Sequence, residues 1–452
     1  MYYRNKNRSN KTKLNSLAES RRRKNQKRKS KTYKNYKYEK YVKHIISVEK
    51  RLLKKKKSPA YLFLEKSGAF EGVNVEKTIV FPKEFSITEN FEESIFKIYT
   101  AIYTYDALHN ETVKLSFKKC KKIQIISLFL LESLLQEVFK YKQKLQPKLK
   151  IRITNQIEVL KSEINEVNKR LCILDNKLLF DLELEDNELI PVLQRRYSGQ
   201  KNSKSYVESR KKITTKRIVS FFNDQLRKCS LYELTEIGVN NLEGIISETI
   251  DNSEQHSFFM GEWFVCAYFF EDKNVDIGDK VIEAQLHFMN LGSTIYKSFE
   301  KRREQNKSMS EFLDETSMKI LAKTKHFEKE NLITLLSLNE GVSSLRYEDE
   351  GRGTGTIKLL RAFFDIGDHE DKKRGLYPKM AILSGKTLIN IDNKYKYTKS
   401  KTGKVVIPLN DEKDAYSPPN PSHLKNLKKK FPGTVISLRV YLNENNLKEK
   451  YS

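Results

Sequence analysis

The sequence predicts an α+β protein: a two-layer α/β sandwich in the C-terminal half, preceded by a small α/β domain and a basic, largely disordered tail. Three observations carry this reading. Between residues 58 and 185, short apolar runs bounded by polar turns alternate with segments of helical period. Two longer apolar runs, EWFVCAYFFEDKN (262–274) and KVIEAQLHFMNLG (280–292), read as strands joined by a hairpin loop. Residues 1–57 hold 23 Lys and Arg against 3 Glu, too charged and too poor in apolar residues to build a core.

At 452 residues the chain is too long for one ordinary core. Composition shifts divide it into a tail (1–57), a small α/β domain (58–185), a charged helical connector (186–229) and a domain at 230–445. With 38% hydrophobic residues and 11% aromatics, most of it is expected to be globular. The tail carries +20 of the overall +28, centred on RRRKNQKRKSK (21–31). Tyrosines among lysines in KTYKNYKYEKY (31–41) could stack on bases while the cations meet phosphates, a salt-sensitive nucleic-acid contact. A solubilising extension explains the same composition. Tyr41, Ile45, Val48 and Leu52 recur at helical spacing within it.

In the small domain, TIVFP (78–82) reads as a strand, residues 83–105 as a helix and VKLSF (113–117) as a second strand. IQIISLFLLESLLQEVFKY (123–141) reads as a buried helix, KLKIRIT (148–154) as a third strand, and a helix is expected to run on to Ile173. A strand, a short turn and a helix rich in small and aliphatic residues make the layout STAS-like: it resembles the anti-sigma-factor antagonists. Their phosphoacceptor serine would fall at Ile125 or Ile126, with Ser127 just beyond, so that regulation is not carried over. In the connector, TKRIVSFFNDQL (215–226) has helical period.

Four scattered cysteines (Cys120, Cys172, Cys229, Cys266) form no CxxC pair, which argues against disulfides and zinc and for a reducing, cytoplasmic setting. The N-terminus lacks the apolar segment of a signal peptide. The longest apolar runs, 123–135 and 258–270, are too short to span a bilayer and each contains a glutamate, so no membrane partner is expected.

The informative stretch is ISETIDNSEQHS (246–257). On a helical wheel Val239, Leu242, Ile246, Thr249, Ile250 and Ser253 form a buried stripe, and Glu248, Asn252 and His256 form a row along its shoulder. Polar groups at such a seam need partners. A carboxylate and an amide oxygen suit Mg²⁺, and a glutamate beside that cation could take a proton from an attacking water. Downstream, the second strand of the hairpin ends in Asn290-Leu291-Gly292. After a long polar stretch, Gly351, Gly353 and Gly355 precede an apolar helix, where exposed amides favour phosphates. Strands MAILSG (380–385) and, after Pro432-Gly433-Thr434, VISLRVYL (435–442) follow.

This order resembles the ATP-binding domain of the GHKL superfamily, the group of gyrase, the heat-shock chaperone, histidine kinases and MutL, whose fold is the Bergerat-type sandwich. The matching pieces are an N-box helix with Glu248 and Asn252, a degenerate G1 box at Asn290-Leu-Gly292, a lid, a G2 box at Gly351 to Gly355, and a closing strand at Gly433-Thr434. The resemblance implies that Asn252, with Glu248, holds Mg²⁺, that Glu248 orients or deprotonates water, and that His256 lies near the phosphates. It implies that Gly351, Gly353 and Gly355 cradle phosphates, that Gly292 and Asn290 meet the base, and that Thr434 sits near the adenine. The family has aspartate where this chain has Asn290; an amide oxygen still accepts the adenine hydrogen bond but carries no charge.

No histidine lies between His109 and His256, which argues against an autophosphorylating histidine kinase. The leading expectation is an Mg-ATP-dependent conformational switch with slow hydrolysis, acting on a protein partner or as a homodimer. The alternatives are a serine/threonine kinase of the anti-sigma-factor type and a nucleic-acid-associated module in which ATP is structural.

Overall fold

The structure, a computed structural model, describes residues 57–108, 111–149, 156–174, 179–181, 192–198, 204–230, 234, 236–256, 262–271, 281–342, 357, 359–361, 377–395, 397–400 and 403–443. The tail, apart from Lys57, lies outside the described residues. Lys57 and residues 142–149 fall outside the compact unit that the other described residues form. Apart from the end of the helix that runs to Leu149, all that follows concerns that unit.

Its first layer is a four-stranded parallel sheet in the order β1 (Thr78–Val80), β3 (Val113–Ser116), β5 (Ile157–Leu160), β6 (Phe180–Asp181). A two-stranded parallel pair, β2 (Glu84–Phe85) with β4 (Lys122–Ile123), lies beside it in sequence. Helix α1 (Pro59–Lys66) precedes β1, and helices α2 (Phe91–Ala107), α3 (Ile125–Leu149) and α4 (Asn165–Arg170) connect the strands. Parallel strands require such crossovers, and the helices bury their apolar stripes on the sheet. At the strand ends Phe81 and Phe117 stack with centroids 4.5 Å apart.

Two elements of this layer differ from the sequence expectation. The helix expected over 83–105 starts only at Phe91, because the Ser86–Asn90 stretch spends its hydrogen bonds locally: Glu89 N donates to Ser86 Oγ (3.0 Å) and Asn90 N to Ser86 O (2.9 Å). The third parallel strand is IEVL at 157–160, inside the stretch expected as a helix to Ile173; of the strand expected at 148–154, Lys148 and Leu149 are helical and residues 150–154 lie outside the described residues. Helix α3 runs through Leu149, and Ile157 to Leu160 pair in register with Val113 to Ser116.

The second layer is a five-stranded antiparallel sheet in the order β10 (Lys379–Ile391), β13 (Leu424–Asn443), β9 (Val281–Leu291), β8 (Glu262–Glu271), β7 (Val192–Ser198). Strand β7 comes from the stretch expected as connector, and it is the edge of this sheet. Helices α5 (Lys204–Ser230) and α6 (Glu236–His256) follow β7, and α7 (Ile295–Lys301), α8 (Lys307–Leu321) and α9 (Lys329–Leu336) follow β9. The small pair β11 (Thr398–Lys399) and β12 (Val405–Val406) completes the unit.

Both faces of the antiparallel sheet are buried. Trp263, Val265, Ala267 and Phe269 of β8 cluster with Ile246 and Ile250 of α6 and Phe222 of α5. Their alternate neighbours Phe264, Cys266 and Tyr268 join the core of the parallel layer, where Phe264 meets Phe129 edge-on at 6.3 Å. A strand covered on both sides reads as a continuous apolar run, which is why WFVCAYF shows no alternation. Polar contacts tie the layers as well. Glu92 accepts from the backbone amides of Lys428 (2.6 Å) and Lys429 (3.1 Å), and the Arg170 guanidinium lies 5.5 Å over the Tyr268 ring.

His287 sits on the face toward the parallel layer, opposite Cys266, fully buried and bonded to Gln285 at 2.9 Å. Burial, with the Arg439 guanidinium as the second cause, pushes its imidazole down to about 3. An unfolded histidine titrates near about 6.5, so between those values only the unfolded chain binds the proton. Stability from this group is therefore present above that range and is lost as pH falls through it, by up to about 1.4 kcal/mol per pH unit. His287→Gln is expected to flatten the fall of the thermal midpoint between about pH 6.5 and pH 4 relative to the native chain. An unchanged slope would assign that fall to other groups.

Candidate functional site

Helix α6 builds the first half of the site. Leu242, Ile245, Ile246, Thr249, Ile250 and Ser253 are buried, at the three- and four-residue spacing that puts them on one face. Each buried Ile or Leu contributes about 1.5–3 kcal/mol of transfer free energy, which pins the helix in rotation against the sheet. Val239, expected in this stripe, is only partly buried, and Ile245 takes its place. On one flank Asp251 pairs with Lys211 of α5 at 2.5 Å, and Ser247 meets Thr215 of α5 at 3.4 Å. Successive residues turn about 100° around a helix, so Glu248 and Asn252 stand beyond this flank, away from α5. Both are half-buried. The backbone of His256 ends the helix; its side chain lies outside the described residues.

The sheet builds the second half. Asn290 pairs across β9 with Trp263 on one side and Thr434 on the other, and Thr434 pairs in turn with Ser384. Directly paired residues point to the same face, so Trp263, Asn290, Thr434 and Ser384 form one row across four strands. Trp263 clusters with α6, so this row belongs to the face that α6 covers. Helix α6, which carries Glu248 and Asn252, therefore packs on the face of the sheet to which Asn290 and Thr434 belong.

Asn290 is 2% exposed, and among the described residues its Nδ2 has no hydrogen-bond partner. Thr434 Oγ1 lies 3.0 Å from Ser384 Oγ, which also accepts from Ile295 N at 2.9 Å. Ser384 and Trp263 were not singled out in the sequence. Ser384 had a signal, a lone hydroxyl in the apolar MAILSG run, whereas Trp263 was one aromatic among many.

Glycines shape this end of the sheet. Strand β13 bulges against β10, where Ser384 pairs with Thr434 but Gly385 pairs with Phe431. A Cβ at Gly433 would overlap the backbone carbonyl of Asn290, so only glycine permits this approach. Gly292 donates its N–H to Pro432 O at 3.1 Å, closing the bulge. That donor is spent within the protein, which narrows the role expected for Gly292 to close backbone approach. Gly385, at φ +62°, receives the first turn of α9, where Glu330 Oε1 accepts from Lys386 N at 2.9 Å.

Gly351, Gly353 and Gly355 lie outside the described residues. The chain re-enters just after them, and Ile357, Leu359 and Leu360 are buried in the cluster that holds Ile246 and Ile250 of α6. The two segments flanking the expected phosphate site thus share one core.

A carboxylate and an amide oxygen one turn apart, half-buried and clear of α5, fit a hard cation completed by water and phosphate oxygens. Among the described residues no group of three or more His, Cys, Asp and Glu is placed to hold a metal ion. A cation at α6 would take Asn252 as a direct ligand, with Glu248 reaching it through a bound water. A groove of about 430 Å³ elsewhere, between Glu89–Glu92 and Leu424–Lys428, contains none of these residues. Among the described residues no helix is long and apolar enough to cross a membrane. No family model, curated protein or solved structure matches this chain.

Proposed function

We propose that this chain binds Mg-ATP and acts as a nucleotide-dependent conformational switch with slow hydrolysis. The observation that carries the reading is that α6, the helix of Glu248 and Asn252, packs on the same face of the sheet that holds the row of Asn290 and Thr434. A ligand with a flat polar base at one end and a phosphate–cation group at the other matches that division. Bound Mg²⁺ neutralises phosphate charge and orients the terminal phosphate. Asn252 offers its amide oxygen to the cation. Glu248, one turn earlier, holds a water and takes its proton. The Asn290 amide meets the base edge, and Thr434 with Ser384 supplies hydroxyls beside it.

The switch reading draws on the second face of the sheet. Met289 and Leu291 flank Asn290 on β9 and are buried in the core of the parallel layer. A shift of β9 on nucleotide binding would repack that core, because close-packed interiors move between discrete arrangements and do not stretch.

The test is nucleotide affinity of the intact chain by calorimetry, with and without Mg²⁺, beside Asn252→Ala. Magnesium-dependent binding that falls by about tenfold or more in the variant is expected, the loss of one charge-assisted contact. A native chain that binds no ATP under either condition would overturn the reading.

A further inference from the structure

We infer that the base pocket of this chain takes 6-oxopurine and 6-aminopurine nucleotides with similar affinity, so that GTP and ITP are ligands beside ATP. The inference rests on the nucleotide reading above and concerns what Asn290 does within it.

Asn290 is 98% buried by its 2% exposure, and its amide nitrogen faces no acceptor among the described residues. A buried donor left unpaired is costly, and native structures retain one where a ligand or water completes it. The amide lies in the row between Trp263 and Thr434. The Thr434 hydroxyl is engaged with Ser384 Oγ at 3.0 Å and does not bond Asn290 in the described structure. Among the described residues no hydrogen bond therefore locks the amide in one orientation.

That freedom sets the chemistry. A carboxamide carries an acceptor and a donor on nearly isosteric arms, and a half-turn of the group exchanges them. With oxygen forward it accepts from the 6-amino group of adenine while its nitrogen donates to the adjacent N1. With nitrogen forward it donates to the 6-oxo group of guanine or hypoxanthine, and its oxygen accepts from the N1–H. A carboxylate has acceptors only and would repel a 6-oxo group at the same place. Tolerance at C6 is thus a direct consequence of an unlocked amide.

Affinities of the full chain for Mg-ATP, Mg-GTP and Mg-ITP are measured by calorimetry, beside Asn290→Asp and Asn290→Ala. The native chain is expected to bind all three within about tenfold of one another, a span smaller than one misplaced hydrogen bond. Asn290→Asp is expected to favour ATP over GTP and ITP by about tenfold more than the native chain does. Asn290→Ala, which removes donor and acceptor together and adds no buried charge, is expected to weaken all three alike. Native binding of ATP more than about thirtyfold tighter than both GTP and ITP overturns the inference and leaves the nucleotide reading standing. So does an ATP preference that Asn290→Asp, still folded by circular dichroism, fails to move. Binding of none of the three overturns the reading on which the inference rests.

Discussion

Glu248→Gln is expected to lower single-turnover phosphate release by about 10²–10⁴-fold while ATP affinity changes only a few-fold. The glutamine keeps the length and hydrogen-bonding reach of the native side chain at a half-buried helix position, so α6 keeps its packing on Ile246 and Ile250. What the exchange removes is the capacity to take a proton. Loss of turnover with retained affinity separates Glu248, acting on water, from Asn252, acting on the bound cation. Were the variant to release phosphate at the native rate, Glu248 would be no base, and binding alone would be left for the site. The native rate itself is expected to be low, since a switch uses the bound state for longer than it uses the chemistry.

Gly433→Ala carries the largest expected effect on stability. The added Cβ meets backbone, the carbonyl of Asn290, and no rotamer change can relieve a clash with a main-chain atom held in a β ladder. Relief requires β9 and β13 to part where Gly292 N bonds Pro432 O. A loss of about 3 kcal/mol or more is expected, read as a lowered thermal midpoint. Gly244→Ala is the internal control. This glycine lies in α6 with nothing within 4 Å of an added Cβ, so the same chemical change is expected to stabilise the chain by up to about 1 kcal/mol. Equal effects at the two positions would mean that the β9–β13 approach is looser than described. A further consequence ties stability to the site: parting β9 from β13 displaces Asn290 from Thr434, so Gly433→Ala is expected to weaken nucleotide binding at temperatures where it remains folded.

Much of this molecule was legible before folding, and the reason is local in each case. Helix α6 announced itself through Leu242, Ile246, Thr249, Ile250 and Ser253, because spacing along a helix fixes direction around it. The β8–β9 hairpin was legible from two apolar runs long enough to be strands and too short for spans. Even Ser384, which was missed, left a trace as a polar residue in an apolar strand. The errors arose where two local rules competed. Between Glu84 and Asn90 the hydroxyl and amide groups of Ser86 and Asn90 outbid the helix. At 157–160 the IEVL run was read as part of a helix, and its pairing with β3 makes it a strand. Strand β7 was hidden by its arginines, since a charge run reads as solvated surface until a sheet edge claims it.

The division between sequence and fold follows from distance along the chain. By itself, the sequence determined the helix that carries Glu248 and Asn252, the strand that ends at Asn290, and the glycines that must bend or approach closely. Each of these is a matter of neighbours within a few residues, where dihedral sterics and helical or strand period decide. Only the tertiary structure decided that Asn290, Thr434 and Ser384 stand in one row, that this row is on the side of the sheet on which α6 packs, and that the opposite face of the same sheet is buried against the parallel layer. Those are outcomes of register and of layer packing. They are set by which strands close their hydrogen bonds and which apolar faces leave water together, and no local pattern encodes that choice.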